Sequence, residues 1–320
     1  MKQIEVWNLA KQSLENNVPV MLLYVVESNG SSPGRQGFAM AVTATGQMQG
    51  SVGGGIMEHK FVEMAKEKLH KNEPISQLRK QFHDKTSPTN QSGMICSGDQ
   101  TIFLYTLQKA DLTSLDSIIK TLKNAETGVL TLTPNGFFFN TGSTPKRFLF
   151  EQKSEQDWIY QEQVGLNNKL FIIGGGHCSL ALSQLFTNLD FYIELFEDRQ
   201  NLNTYNQNQA AHRKTLLNDY SELESLIPSG EDCYVVVMTF GYRTDDIAIK
   251  ALIHKKFKYF GILGSRSKME KLFRQYLDEG ISSVLLSRLH TPAGIPIKSQ
   301  TPEEIAISIA AEIIKIKNGA

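Results

Sequence analysis

The chain reads as an α/β protein, with a Rossmann-like parallel-sheet domain over residues 166–320 behind a smaller α/β domain over residues 1–165. Three observations lead there. Beyond residue 168, short apolar runs alternate with helical patterns: Leu170–Ile173, Cys178–Leu189, Tyr192–Phe196, Tyr234–Thr239, Asp246–His254 and Tyr259–Leu263. Near-continuous apolar strands separated by helices build parallel sheets covered on both faces. The segment KLFIIGGGHCSLALSQLF sets a glycine turn between the first of these strands and its helix. The stretch Glu151–Asn168 is polar, weakly patterned and poor in β-branched residues, and its end marks the domain boundary. A chain of 320 residues has room for two cores.

From the N-terminus, Ile4, Trp7, Ala10 and Leu14 recur at helical spacing and the pair Asn16–Asn17 before Pro19 supplies a stop. Val20–Glu27 and Phe38–Thr45 are rich in strand formers, and Ser28–Gly37 between them has turn chemistry throughout. GSVGGGIMEHKFVEMAKEKL then leads from three consecutive glycines into an amphipathic helix ending near Leu69. A loop follows, then the strand TIFLYTL, a helix from Ser114, a strand at Val129–Thr133, a turn at Pro134–Gly136 and strand-like residues at Phe137–Phe139.

Composition narrows the function. The 33 basic and 33 acidic side chains cancel, leaving no electrostatic footprint for nucleic acid. MKQIEVWNLAK lacks a basic region followed by a long apolar run, and Val18–Val26 is interrupted well before membrane-spanning length, so a cytoplasmic protein with no membrane segment is expected. Cys96, Cys178 and Cys233 lie far apart with no metal-ligand spacing, which fits a reducing compartment and names no metal.

The glycine turn carries the chemistry. A buried strand, a tight turn and a helix opened by that turn aim backbone N–H groups and the positive helix end at a phosphate. Gly174 and Gly176, flanking Gly175, match the first two glycines of a dinucleotide fingerprint, and Ser179 stands where the third belongs. The next strand, FYIELFEDR, ends with Asp198, 24 residues after Gly174, near the place of an acid that accepts from ribose hydroxyls. A strand-to-helix turn needing glycine only for its backbone angles accounts for the same motif. His177 either contacts a ligand or simply begins the helix.

Seven segments in order resemble the XdhC/CoxI family, the accessory factors of xanthine dehydrogenase and related molybdenum hydroxylases. They are GSSPGRQGFAM (30–40), GSVGGGIME (50–58), GMICSGD (93–99), IIGGGHCSLAL, MTFGYRTDD (238–246), GILGSRSK (261–268) and LHTPAGIPIKSQTPEEIAISIAAEI. The resemblance implies a protein that binds molybdenum cofactor (molybdopterin), protects it while its terminal oxo group is replaced by sulfur, and delivers it to a xanthine dehydrogenase-type molybdenum hydroxylase. It also implies a cysteine desulfurase as a further partner and a homodimer. Such a protein is a cofactor-binding chaperone rather than a catalyst. Ile56 stands where the family usually has cysteine, Cys96-Ser97-Gly98 where it has Cys-Gly-Gly, and Phe240 and Tyr242 where histidines are common, while Asp245 is retained.

Such a cofactor asks for phosphate cradles and polar groups at the pterin edge. Gly53, Gly54 and Gly55 before a helix, with Ser51 adding a hydroxyl, form a second candidate anion site; a tight connection explains them equally. Glu58, on the first turn, is a pterin- or metal-proximal candidate, or a carboxylate placed by the helix dipole. Cys96, as a thiolate, would touch molybdenum or carry sulfur, against the commoner case of an inert buried cysteine. Cys178 and Cys233 read as packing residues, although a helix N-terminus can lower the pKa of Cys178. Gly264, Ser265 and Arg266 follow a strand at the carboxyl edge, where Arg266 can pair with a phosphate or simply be solvated. Thr239 and Asp245 sit at the edge of the preceding strand, Asp245 alternatively capping a helix from Asp246. The competing function is an NAD(P)-dependent oxidoreductase using the same turn for NAD(P) or another nucleotide; no Tyr-x-x-x-Lys helix supplies its proton donor.

Overall fold

Apolar side chains at helical spacing build α1 (Lys2–Glu15), whose Val6, Trp7, Ala10 and Leu14 are buried. In this computed structural model, which describes residues 2–82, 98–124, 126–144, 146–166 and 168–319, α1 stops before Asn17, held at φ 55°. The chain divides into two units, Met1–Gly165 and Leu166–Ala320.

The first unit holds two antiparallel sheets. β1 (Val20–Gly30), β2 (Ala39–Thr43), β3 (Met48–Gly50), β4 (Ser76–Phe82) and β5 (Gly98–Thr106) form one in the order β3-β2-β1-β5-β4. Its central strand is apolar on both faces because both are covered. Met21, Leu23 and Val25 pack with Met57, Phe61 and Val62 of α2 (Gly55–His70). Leu22, Tyr24 and Val26 meet α1, α3 (Leu112–Lys123) and the second sheet. That sheet, in the order β7-β6-β9-β8, comprises β6 (Thr127–Thr133), β7 (Gly136–Thr141), β8 (Phe148–Gln152) and β9 (Trp158–Gly165).

β9 lies in the stretch read as polar and weakly patterned. Its inward residues are Trp158, Tyr160, Glu162 and Val164, alternating strictly with half-buried ones. The apolar period is broken at Glu162, whose carboxylate is buried and accepts from Tyr24 (2.6 Å) and Tyr160 (2.7 Å). A buried acid thus hid a strand.

The second unit is a five-stranded sheet in the order β12-β11-β10-β13-β14, parallel at every pairing. In chain order it runs β10 (Asn168–Ile173), α4 (His177–Phe186), β11 (Phe191–Glu197), α5 (Asn203–Gln207), β12 (Arg213–Leu216), α6 (Leu223–Leu226), β13 (Gly230–Val237), α7 (Tyr242–Leu252), β14 (Phe257–Ile262), α8 (Arg266–Asp278), α9 (Ser283–Leu286) and α10 (Pro302–Lys317). Alternate residues of β10 face opposite cores, Phe171 and Ile173 toward α7 and α8, Leu170 and Ile172 toward α4 and α10. The fold class is the expected one: a Rossmann-like parallel sheet at the C-terminal end and α/β structure before it. The order in which successive strands are added reverses at β10, and such switch points are where open parallel sheets take ligands, beyond the carboxyl ends of their strands. Among the described residues no helix is long and apolar enough to cross a membrane.

Candidate functional site

β10 ends in a turn that only glycine can make at its first position. Gly174 has φ 104°, and a Cβ there would lie 2.5 Å from the carbonyl oxygen of Met238, which follows β13. The turn is therefore pressed against the neighbouring strand end. Ser179, buried in α4, donates to the Gly174 carbonyl, and Thr204 donates to that of Gly175 at 2.5 Å. Gly176 differs: its backbone is extended and a side chain there would meet open space. Among the described residues, the N–H groups of Gly176, His177 and Cys178 have no protein acceptor, as expected for the first turn of a helix. His177 itself is exposed.

The remaining amide of the turn is occupied. Gly175 N–H donates at 2.6 Å to Oε2 of Glu197, the last residue of β11, which sequence reasoning did not single out. Its Oε1 accepts from the Asp198 and Arg199 amides, at 3.1 and 3.0 Å, and Arg199 adds a two-pronged contact through Nε (2.7 Å) and Nη2 (2.8 Å). Burial alone would push this carboxyl up. The donors overcome that and hold it at about 2. A carboxylate so saturated has no lone pair left for a ribose hydroxyl. The signal in the sequence was the strand parity: Leu195 faces one core and Phe196 the other, with Glu197 buried at the strand end.

Asp198, the acid expected to meet ribose, is partly exposed beside this cluster and accepts from the Tyr220 hydroxyl at 3.2 Å. Burial and the neighbouring Glu197 push its carboxyl up. Arg199 continues outward, its guanidinium 5.4 Å from the ring centre of Phe240, which is 87% exposed.

Thr239 and Asp245 come together beside the turn. The Thr239 N–H and hydroxyl both donate to Asp245 Oδ1, the former at 3.1 Å, while Lys268 of α8 donates to Oδ2. Asp245 is fully buried and sits inside the first turns of α7, whose N-cap is Gly241. It does not cap a helix beginning at Asp246, because α7 starts four residues earlier than the expected helix. Ser265 caps α8, accepting from Lys268 N–H at 3.3 Å. Gly264 precedes it, and Arg266 is exposed at the first helical position.

In the first unit, the second glycine turn holds its own anion. Glu58 Oε2 accepts from Ser51 Oγ (2.6 Å), Val52 N–H (2.8 Å) and Gly54 N–H (3.0 Å), and Gly53 N–H donates to Ser51 Oγ (3.1 Å). Ser51 and two of the amides are thus already engaged. Gly53, Gly54 and Gly55 all have positive φ, at 132°, 74° and 69°, which β-carbon-bearing residues adopt at a cost. Gln100, buried and likewise without a signal in the sequence, joins this turn to the Ser28–Gly37 loop. Its Oε1 accepts from Ser32 Oγ (2.9 Å) and Gly34 N–H (3.2 Å), and its amide donates to Gln81 (3.2 Å) and the Val52 carbonyl (3.5 Å).

Cys96 lies outside the described residues. Cys178 does not gain the thiolate character that a helix N-terminus can give. Burial, then the charge of Glu303, pushes its thiol up. Burial pushes Cys233 to about 11, as a packing residue should be. Among the described residues no three His, Cys, Asp or Glu side chains are grouped to hold a metal ion.

Two family models match the chain: the XdhC Rossmann domain over residues 170–313 and the XdhC and CoxI family over residues 13–80. Among curated proteins it is similar to the uncharacterized protein YqeB of Escherichia coli (strain K12), 25% identical over 311 residues; the match spans 96% of this chain but only 45% of that protein. It is also similar to a probable xanthine dehydrogenase subunit of Bacillus subtilis (strain 168), 22% identical over 334 residues and 95% of each chain. A crystal structure of a xanthine dehydrogenase from Bacillus halodurans superposes with a TM-score of 0.74 at 20% identity, covering 100% of this chain and 96% of that one. At that identity the likeness speaks for the fold.

Proposed function

We propose, from the premise that this chain belongs to the XdhC and CoxI family, that it is an accessory factor of a xanthine dehydrogenase-type molybdenum hydroxylase. In this reading it binds molybdenum cofactor and holds it through sulfuration and insertion. The observation that carries the reading is the first turn of α4. The N–H groups of Gly176, His177 and Cys178 have no protein acceptor among the described residues, and the space in front of Gly176 is open. That donor set suits a phosphate, and the pyranopterin carries one; the helix dipole adds to the attraction.

The fit is to the phosphate end. Gly176, His177 and Cys178 would hold it, while Lys268, paired with buried Asp245, braces the same strand edge. Glu197 keeps the turn in shape from behind, through Gly175. When bound, the cofactor supplies the molybdenum whose terminal oxo group is exchanged for sulfur. This chain's described residues offer that metal no thiolate set, so their part is to bind, orient and shield. A cysteine desulfurase as sulfur donor and a second copy of the chain as dimer partner belong to the same proposal.

Gly176→Asp tests it. The position is open and its backbone extended, so the substitution leaves the fold intact while placing a carboxylate on the amides. Under anaerobic conditions the native chain should retain cofactor through gel filtration and reactivate a cofactor-free hydroxylase, and the variant should do neither. Equal retention by both chains, or none by the native chain, would refute the reading. Titration with NAD(H) and NADP(H), followed for binding and turnover, checks the oxidoreductase alternative.

A further inference from the structure

A cavity opens at the carboxyl edge of the parallel sheet, where β14 gives way to α8. It has a volume of about 350 Å³ and is bounded by Leu263, Arg266, the 292–299 loop and the start of α10 at Ile305 and Ser308. No residue of the Gly174–Gly176 turn lines it. We propose that this cavity binds a compact phosphate monoester with a ring-sized apolar body, its dianion held by Arg266 and Lys298. The inference goes beyond the cofactor reading and does not rest on it.

Charge is the first argument. On the neighbouring helices Lys268 is held by Asp245, and Lys250 by Asp246 and Glu279. Arg266 and Lys298, both exposed, have neither an ion pair nor a hydrogen bond within the described residues. Two free cations on one cavity suit a dianion, and guanidinium matches phosphate geometry with two parallel donors.

The wall is also built to stay put. Ser308 Oγ donates to the Ile295 carbonyl at 2.6 Å, Gly294 N–H to Glu312 Oε2 at 2.7 Å, and Ala293 N–H to the Ile262 carbonyl at 2.9 Å. Glu312 is itself fixed by the Tyr259 hydroxyl at 2.6 Å and lies 3.5 Å from His290 Nδ1. On this braced loop Lys298 sits at φ 58°, a left-handed conformation unfavourable for a side chain with no local hydrogen bond. The loop imposes that conformation, and Lys298 is among the residues that line the cavity.

Size and polarity name the rest of the ligand. The volume falls at the small end of ligand pockets, about 300–1,000 Å³, and the walls are mostly apolar: Leu263, Ala293, Ile295, Ile297 and Ile305. A bare inorganic ion would leave that surface unused, and a neutral ring would leave two cations unpaired.

Naphthyl phosphate, titrated by calorimetry into the full chain, is the test, with naphthol and inorganic phosphate as controls. Saturable binding at least tenfold tighter than either control is expected. It should weaken at least tenfold in an Arg266→Gln, Lys298→Asn double variant, asparagine being tolerant of the left-handed backbone. It should also weaken in Ile297→Trp, which fills the cavity from its exposed rim and leaves both charges. Gly176→Asp should leave it unchanged, so that loss of cofactor retention and loss of this site are read separately. Equal binding of inorganic phosphate, or an undiminished affinity in the double variant, would overturn the proposal. So would an absence of binding by the native chain, or loss with Gly176→Asp alone.

Discussion

Replacing Glu197 by glutamine probes the glycine turn at its support. The carboxylate accepts five hydrogen bonds, three from backbone N–H groups and two from Arg199. An amide in its place presents an NH2 to donors on one side and removes the charge that Arg199 pairs with. Breaking a buried ion pair costs about 3–5 kcal/mol. Arg199 retains 37% side-chain exposure and can rehydrate, so the lower end, about 3 kcal/mol, is expected. The titration gives the same size: a carboxyl held at about 2 instead of 4.5 contributes on the order of 3 kcal/mol at neutral pH. Both tryptophans, Trp7 and Trp158, lie in the other unit, so fluorescence would miss the effect. Hydrogen exchange of peptides spanning residues 170–199 reports it, with protection of the slowest amides falling about 100-fold. The sign follows from linkage. Glu197 is depressed, so its contribution is present above the unfolded value and is lost as pH falls from 4.5 toward about 2. Asp198 is raised and runs the other way, offsetting part of the gain once it ionises. The gap between native and variant should therefore close in acid. A loss of protection under about fivefold at neutral pH, or a gap that stays constant as the pH is lowered to 3, would refute the structural role assigned to Glu197.

Other outcomes follow from the same geometry. Gly34→Ala places a Cβ 2.3 Å from the Val52 carbonyl oxygen and 2.5 Å from Gln100 Oε1, and should cost about 2 kcal/mol or more by urea unfolding followed through tryptophan fluorescence. Gly176→Ala, in open space, should change stability by less than about 0.5 kcal/mol. Glu58→Ala strips the acceptor from Ser51 and two amides and should cost about 2 kcal/mol in the same assay. Burial pushes the Glu162 carboxyl up against the pull of its tyrosine partners, so native stability should fall as pH rises from the ordinary carboxylate range through the raised value. Glu162→Gln should abolish that slope while its amide oxygen still accepts from Tyr24 and Tyr160; an unchanged slope in urea titrations would count against it.

The parallel sheet was legible because both of its faces are buried, which makes β10, β13 and β14 nearly continuous apolar runs, and because a glycine turn marks the first crossover. The edge of that sheet was harder: β12, a strand of four residues, RKTL, has too little apolar content to announce itself. In the antiparallel half, β9 was masked by Glu162. At the turn, Gly174 was readable from its spacing, whereas Glu197 was not, since adjacent acids in FEDR look alike until the strand's parity turns one inward and the other out. Gln100 has no local signal at all: its role comes from partners 19 to 68 positions away.

Both glycine turns arrive already stoppered by an acid of the chain itself, Glu58 in one unit and Glu197 in the other. An internal counter-anion makes the curvature of each loop independent of cargo. Under the proposed function, a phosphate at the α4 turn would spend nothing on ordering the backbone, yet would meet a negative charge close behind the amides that hold it. Grip and repulsion would then be set against each other within one turn, the balance that the proposed role of receiving a load and releasing it requires.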